Sequence, residues 1–252
     1  MFVLRHTLEL AFELAWTDFK VRYVMSRMGL AWVVIKPLLT FGVLYGVFSH
    51  ITPQGGSHYA LILLLGIILW NFFAEATSSS IQYVVGKRSL IQRVRFPLAA
   101  LPLSACLQSL VVLMINLVAY TAVSLYLGVI YTGQDIVAIV VGGSLFLFTL
   151  GMAYGLALLN VYVRDVDHIW EVALRLGFFV TPIVYPLYLL PQYAQQWLLL
   201  NPLTQYIEAT RGLLVLDQTP PAVGLMVIFS LVVGLVGWWL FEIKSDVIRD
   251  RI

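Results

Sequence analysis

Gly86-Lys87-Arg88-Ser89-Leu90-Ile91-Gln92-Arg93-Val94-Arg95-Phe96-Pro97 packs four basic residues into a short gap between two long apolar stretches. Working outward, the same enrichment recurs in every second gap. The N-terminal tail holds Arg5, Lys20, Arg22 and Arg27, Arg164 and Arg175 lie around the start of the fifth stretch, and Lys244, Arg249 and Arg251 follow the last. The alternate gaps are nearly bare: residues 52–58 and 128–135 contain no Lys or Arg, and 191–221 contains only Arg211. Basic residues beside membrane spans are retained on the cytoplasmic side. The alternation therefore predicts a polytopic membrane protein with both termini in the cytoplasm.

The apolar stretches run over Leu30–Ile51, Tyr59–Ile81, Leu98–Leu127, Ile136–Asn160, Ile169–Leu190 and Ala222–Phe241. Each is near or above the ~20 residues a helix needs to cross ~30 Å of hydrocarbon. An odd number of crossings would leave one basic tail on the wrong side, so six are expected. The predicted fold is an all-α membrane protein of six transmembrane helices, forming a single domain over residues 1–252. At 61% hydrophobic and 11% charged residues, the chain leaves no room for a separate soluble domain. A net charge of +2 suggests no nucleic-acid partner.

Three segments lie outside the spans. In residues 1–29, Leu4, Leu8, Phe12, Ala15, Trp16, Phe19 and Tyr23 recur at helical spacing, while Glu9, Glu13, Lys20 and Arg27 share another face. This pattern predicts a helix lying in the membrane–water boundary; a short helix docked on a partner is the alternative. The segment reads as no cleavable signal, because acidic residues interrupt it and it lacks a continuous apolar core. Residues 82–97 are too polar to insert and predict a small helix below the membrane. Their charges alone are explained by orientation and by binding of anionic headgroups. Residues 191–221, broken by Asn201-Pro202 and Pro220-Pro221, predict short re-entrant or interfacial helices on the outer side.

The chain offers little chemistry of its own. Gly86-Lys87-Arg88-Ser89 is the nearest approach to a phosphate-cradling loop, but Ile81 stands where the first glycine belongs and Arg88 separates lysine from hydroxyl. No catalytic residue, metal site or cofactor is expected. Cys106 lies alone within a span, and His6, His50, His58 and His168 are scattered over different segments. Asp165-Val166-Asp167 is the one enzyme-like signal, a pair of hard oxygen ligands for Mg²⁺ and a nucleotide-sugar. Arg164 beside it and the following helix start explain the acidic residues equally well.

Two charges fall inside spans. Lys36 lies about seven residues above the start of span one and Glu75 about six above the end of span two, so antiparallel neighbours bring both to a depth of ~10 Å. An unpaired charge at mid-membrane costs at least ~2.5–3.5 kcal/mol. A Lys36–Glu75 ion pair is therefore expected, with snorkelling of each side chain to the interface as the alternative. Trp70, Phe72 and Phe73 lie too deep for an interfacial aromatic belt. They read as bundle core or as the lining of a conduit over which sugar rings slide.

Asp18-Phe19-Lys20-Val21-Arg22-Tyr23, Ser26, Met28-Gly29, Trp32 and Pro37-Leu38 resemble the opening motif of the permease subunits of ABC-2-type polysaccharide exporters, which serve O-antigen, capsule and teichoic-acid export. Gly66 with Trp70, Phe96-Pro97, Asn160 with Arg164-Asp165, Thr181-Pro182-Ile183 with Tyr185, and Asn201-Pro202-Leu203 continue the resemblance in order. The resemblance implies a homodimer of permeases in the cytoplasmic membrane, paired with two separate ATPase chains that hold ATP and Mg²⁺. A lipid-linked glycan would pass between the permeases, amid membrane lipids. It assigns ATPase coupling to Lys87, Arg88, Arg93, Arg95 and Phe96, and a structural or coupling role to Arg164 and Asp165. It also assigns a cytoplasmic gate to Arg22, Tyr23, Gly29 and Trp32. Tyr185 joins Trp70, Phe72 and Phe73 as a candidate channel residue. Met28 replaces the usual leucine, and charged Lys36 and Glu75 stand where uncharged residues are expected. The competing readings are a related permease for drugs or small lipids and a membrane-embedded glycosyltransferase using Asp165 and Asp167.

Overall fold

A computed structural model describes residues 2–25, 28–49, 57–130, 135–216, 218, 220 and 222–251. Ser26, Arg27, His50 and Pro221, all read above, lie outside the described residues. The described chain forms helices α1 (Phe2–Phe19), α2 (Gly29–Phe48), α3 (Ser57–Gly86), α4 (Arg88–Arg93), α5 (Ala100–Tyr126), α6 (Asp135–Tyr162), α7 (Val166–Val180), α8 (Gln192–Leu198), α9 (Pro202–Val215), α10 (Val223–Ile243) and α11 (Ser245–Arg251). Five of them, α2, α3, α5, α6 and α10, are long and apolar enough to cross a membrane.

The expected fifth span is shorter than its apolar run. At ~1.5 Å per residue, 15-residue α7 covers only about 22 Å. Pro182 explains the stop, because proline removes a backbone donor and disfavours helical backbone in the residue before it. Thr181 accordingly turns to extended backbone, with φ −72° and ψ 136°. The remainder of the run forms a turn and a single 3₁₀ turn over Leu187–Leu189.

α3 is the hub. It packs against α2, α5, α6, α7 and α9, and 78% of its apolar window is buried. By contrast only 11% of α2 and 17% of α10 is buried, so these two present most of their apolar surface to whatever surrounds the bundle. α6 and α10 approach closely through Gly151, Gly234 and Gly237. A Cβ on Gly151 would lie 2.6 Å from the Val233 carbonyl carbon, and one on Gly237 would lie 2.9 Å from the Gly151 Cα. Small residues let backbones meet in this way where no hydrophobic force drives helices together.

α1 divides its apolar residues between two faces. Thr7, Ala11, Ala15 and Phe19 are buried on the face toward α5, while Leu8, Phe12 and Trp16 are exposed at the same four-residue spacing. The exposed stripe is what a helix at the lipid surface requires. α1 then widens into a π-helical turn over Lys20–Val24.

Candidate functional site

The π-helical turn delivers Arg22 and Tyr23 to the side of α3. Arg22 Nη1 lies 2.9 Å from Glu75 Oε1, and the Tyr23 hydroxyl donates to the same oxygen at 3.2 Å. Glu75 therefore pairs with Arg22, and the expected Lys36–Glu75 pair does not form. The π-helical turn brings the Arg22 guanidinium and the Tyr23 hydroxyl to this carboxylate, and Lys36 does not reach it. Lys36 is exposed and has no ion pair among the described residues. Burial, and then the Glu75 carboxylate, push the Tyr23 phenol up to about 12 against the opposing pull of Arg22. Its proton, and with it the hydrogen bond, is kept through the neutral range.

Gly29 opens α2 directly on this turn. A Cβ there would lie 2.7 Å from the Tyr23 carbonyl carbon, an approach only glycine allows. Trp32, one turn on, is 43% exposed. The four expected gate residues thus gather where α2, α3 and the π-helical turn meet. Of these, Tyr23 and Trp32 border an open cleft of 540 Å³, lined also by Lys36, Asn71, Glu75 and Asn116 and by apolar side chains.

A second contact ties this site to the basic gap. Lys87, which precedes α4, lies 3.2 Å from Asp18 Oδ1 and stacks its ammonium 4.9 Å from the Tyr83 ring. Arg88, Arg93 and Arg95 are exposed and form no ion pair among the described residues. Phe96 is buried, and its carbonyl accepts a hydrogen bond from Arg249 of α11, which pins the end of the segment to the C-terminal helix. Arg164 and Asp165 occupy the exposed turn between α6 and α7 and do not pair with each other. Asp167 accepts from Gln82 at 3.4 Å, so the two aspartates face different surroundings. No cluster of metal-ligating side chains occurs among the described residues.

Trp70, Phe72 and Phe73 are core. Their exposures are 6%, 3% and 3%, and Phe73 stacks on Phe148 while Trp70 meets Phe178 edge-on. They belong to the main apolar cluster of the bundle. Gly177 of α7 leaves room for Trp70, whose ring would lie 2.9 Å from an added Cβ. Trp170 adds a hydrogen bond from its indole to Thr77 at 2.9 Å. Tyr185 is half-buried and donates to the Val180 carbonyl at 3.0 Å, closing the turn after α7.

In the sequence Arg211 stands out only as the lone basic residue of an otherwise bare segment. In the fold it is 1% exposed and ties α3, α9 and the turn after α7 together. Its guanidinium donates to the carbonyls of Ile62 at 3.0 Å, Pro182 at 2.6 Å and Ile183 at 2.8 Å, and pairs with Glu208 at 2.6 Å. Burial pulls its pKa down and Glu208 opposes the shift. Gly66 supplies the space, since a Cβ there would collide with the guanidinium. Asn201 caps α9 by accepting from the Leu203 amide and donates to Thr181 at 3.1 Å. Tyr59 adds a hydrogen bond to the Val184 carbonyl at 2.9 Å. Gly66, Thr181-Pro182-Ile183 and Asn201-Pro202, scattered in the chain, thus form one knot. A solitary Arg on a side stripped of Arg and Lys was the available signal.

Over 253 residues the chain is 28% identical to an O-antigen export system permease protein RfbA of Myxococcus xanthus, covering 96% of this chain and 95% of the relative. It is 27% identical over 203 residues to an RfbA of Klebsiella pneumoniae, covering 78% and 76%. It is 19% identical over 243 residues to the polysialic acid transport protein KpsM of Escherichia coli, covering 91% of each. Residues 9–215 match the ABC-2 type transporter family, a span that includes the π-helical turn, the basic gap and the Arg211 knot. The chain belongs to the ABC-2 type transporter family and is a multi-pass membrane protein.

Proposed function

We propose that this chain is the membrane-embedded permease half of an ATP-driven exporter that carries a lipid-linked polysaccharide outward from the cytoplasmic side. The observation that carries the reading is the nearly end-to-end similarity to an O-antigen export permease. The similarity to a polysialic acid transport protein points to the same class of cargo. Two copies pair in the cytoplasmic membrane with both termini inside. α7 and the turn over residues 181–190 together make a sixth passage, which the sidedness of the basic residues requires.

Energy comes from two separate ATPase chains. The exposed arginines Arg88, Arg93 and Arg95 offer these chains a surface with no internal partner, while Lys87 and Phe96 fix that surface to α1 and α11. Arg164 and Asp165 border the same side. ATP binding then biases an equilibrium between two arrangements of the permeases. Arg22, Tyr23, Gly29 and Trp32 form the cytoplasmic gate, and Tyr185 lies at the outer end of the route.

The test is deletion of the chain in its host, with surface glycan scored by immunoblot and restored by plasmid. Loss and rescue support export, whereas undiminished surface glycan overturns it. Arg93→Glu with Arg95→Glu is expected to abolish co-purification of the ATPase while leaving membrane yield unchanged. Retained association and export would refute the docking assignment.

A further inference from the structure

Lys36 is an ammonium group placed within a span with no carboxylate to answer it. It lies about 10 Å along α2 from Gly29, taking ~1.5 Å per residue. The one carboxylate lining its cleft, Glu75, is already engaged by Arg22 and Tyr23. Asn71, exposed on the facing helix α3, has no hydrogen bond among the described residues. Asn116, on α5, spends its amide N–H on the Val112 carbonyl at 2.9 Å. Arg22, outside the lining, neutralises Glu75, so the Lys36 charge is left uncompensated among the described residues. A charge at this depth is costly unless it is paired or reaches the interface. The cleft volume of 540 Å³ lies within the ~300–1,000 Å³ usual for small-molecule sites, and its walls include apolar side chains such as Val33, Ile68 and Val112.

We propose that this cleft is a binding site for the phosphate-bearing headgroup of a membrane lipid, with Lys36 as its cationic contact and Asn71 as a hydrogen-bond donor. The apolar wall takes the first carbons of the lipid tail, and Trp32 covers the open side. Lysine acts on phosphate as a point charge with three donors, so it needs no planar, bidentate geometry. The inference rests on the export reading insofar as the headgroup is that of the carrier lipid. A free phosphate or diphosphate anion would present the same charge without the tail, and the two sources are separable.

The experiment is calorimetric titration of the purified full-length chain in dodecyl maltoside, a detergent without phosphate, using farnesyl diphosphate, farnesol and inorganic diphosphate. Farnesyl diphosphate is expected to bind, with each of the other two at least about tenfold weaker because each supplies half of the complementarity. Lys36→Gln is expected to weaken farnesyl diphosphate about tenfold or more, and Lys36→Arg by no more than about threefold. Equal binding of farnesol, or an unchanged Lys36→Gln, overturns the site. Equal binding of inorganic diphosphate overturns the lipid source, leaving a site for a free anion. Should Lys36→Gln fail to fold, Asn71→Leu reads the opposite wall and is expected to lose affinity several-fold; no loss there overturns the proposal. If deletion abolishes surface glycan but Lys36→Gln binds normally, this site fails and the export reading stands. If glycan persists on deletion, the export reading fails while headgroup binding is decided by the titration alone.

Discussion

Arg22 and Glu75 meet at 2.9 Å, joining the π-helical turn after α1 to the middle of the most buried helix in the bundle. The pair is partly exposed, at 47% and 27% of the two side chains, so solvent screens much of its Coulomb energy. Its contribution is therefore set nearer to a surface pair, about 0.5–1 kcal/mol. Position, more than stabilisation, is what it supplies, because it decides where the turn rests against α3.

A double-mutant cycle over Arg22→Gln and Glu75→Gln is expected to give a coupling energy of about 0.5–1 kcal/mol in detergent unfolding. The swapped pair Arg22→Glu with Glu75→Arg should recover part of the loss. Additive single effects would show that the contact carries no energy.

Tyr23 gives the same contact its pH behaviour. Its folded pKa, raised to about 12 from an ordinary 10.0, marks a group whose contribution is complete below the unfolded value and lost as pH rises through the folded one. The window is therefore about pH 10 to 12. Tyr23→Phe is expected to cost about 1 kcal/mol at neutral pH and to flatten the stability profile in that alkaline window. A wild-type profile that falls between about pH 7 and 9 through this residue would contradict the assignment.

Arg211→Met leaves three carbonyls and Glu208 without their donor in a buried place. A loss of about 3–5 kcal/mol is expected, read as a lowered Tm of the purified protein. Arg211→Lys keeps the charge yet cannot reproduce the fork that serves four acceptors, so it should recover less than half. Gly66→Ala drives a methyl into the guanidinium and should cost about 1–3 kcal/mol by overpacking.

Glycines on α6 separate packing from propensity. Gly151→Ala meets the α10 backbone and is expected to destabilise by about 1–3 kcal/mol. Gly143→Ala, with nothing within 4 Å of the added Cβ, should be neutral or slightly stabilising, by up to about 1 kcal/mol. Equal effects at the two positions would refute the close α6–α10 approach.

Much of this architecture is legible in the sequence, because transfer of side chains to lipid acts on each residue independently. α2, α3, α5, α6 and α10 fall within a few residues of the apolar runs, and α4 lies inside the basic gap. The choice of partner for Glu75 is not legible. Depth alone points to Lys36, and only the backbone path through the π-helical turn brings Arg22 to the carboxylate instead. The length of α7 is hidden for a related reason: hydropathy continues past Pro182, whereas backbone hydrogen bonding does not. Depth alone left Trp70, Phe72 and Phe73 as core or conduit, and their burial among other rings is a matter of packing. α6 and α7 supply the rings that meet Trp70 and Phe73, and long-range packing of that kind leaves no periodic trace in α3 itself.

The link from Asp18 to Lys87 has a mechanical corollary. Asp18 sits one helical turn ahead of Arg22, so a single stiff strut touches the basic gap at one point and the α3 carboxylate at the next. A displacement of α4 would therefore be felt, through Lys87 and Asp18, at the Arg22–Glu75 contact beside the cleft. Under the proposed docking at α4, thermodynamic reciprocity makes the converse a consequence: occupancy of the cleft would alter the affinity of the ATPase.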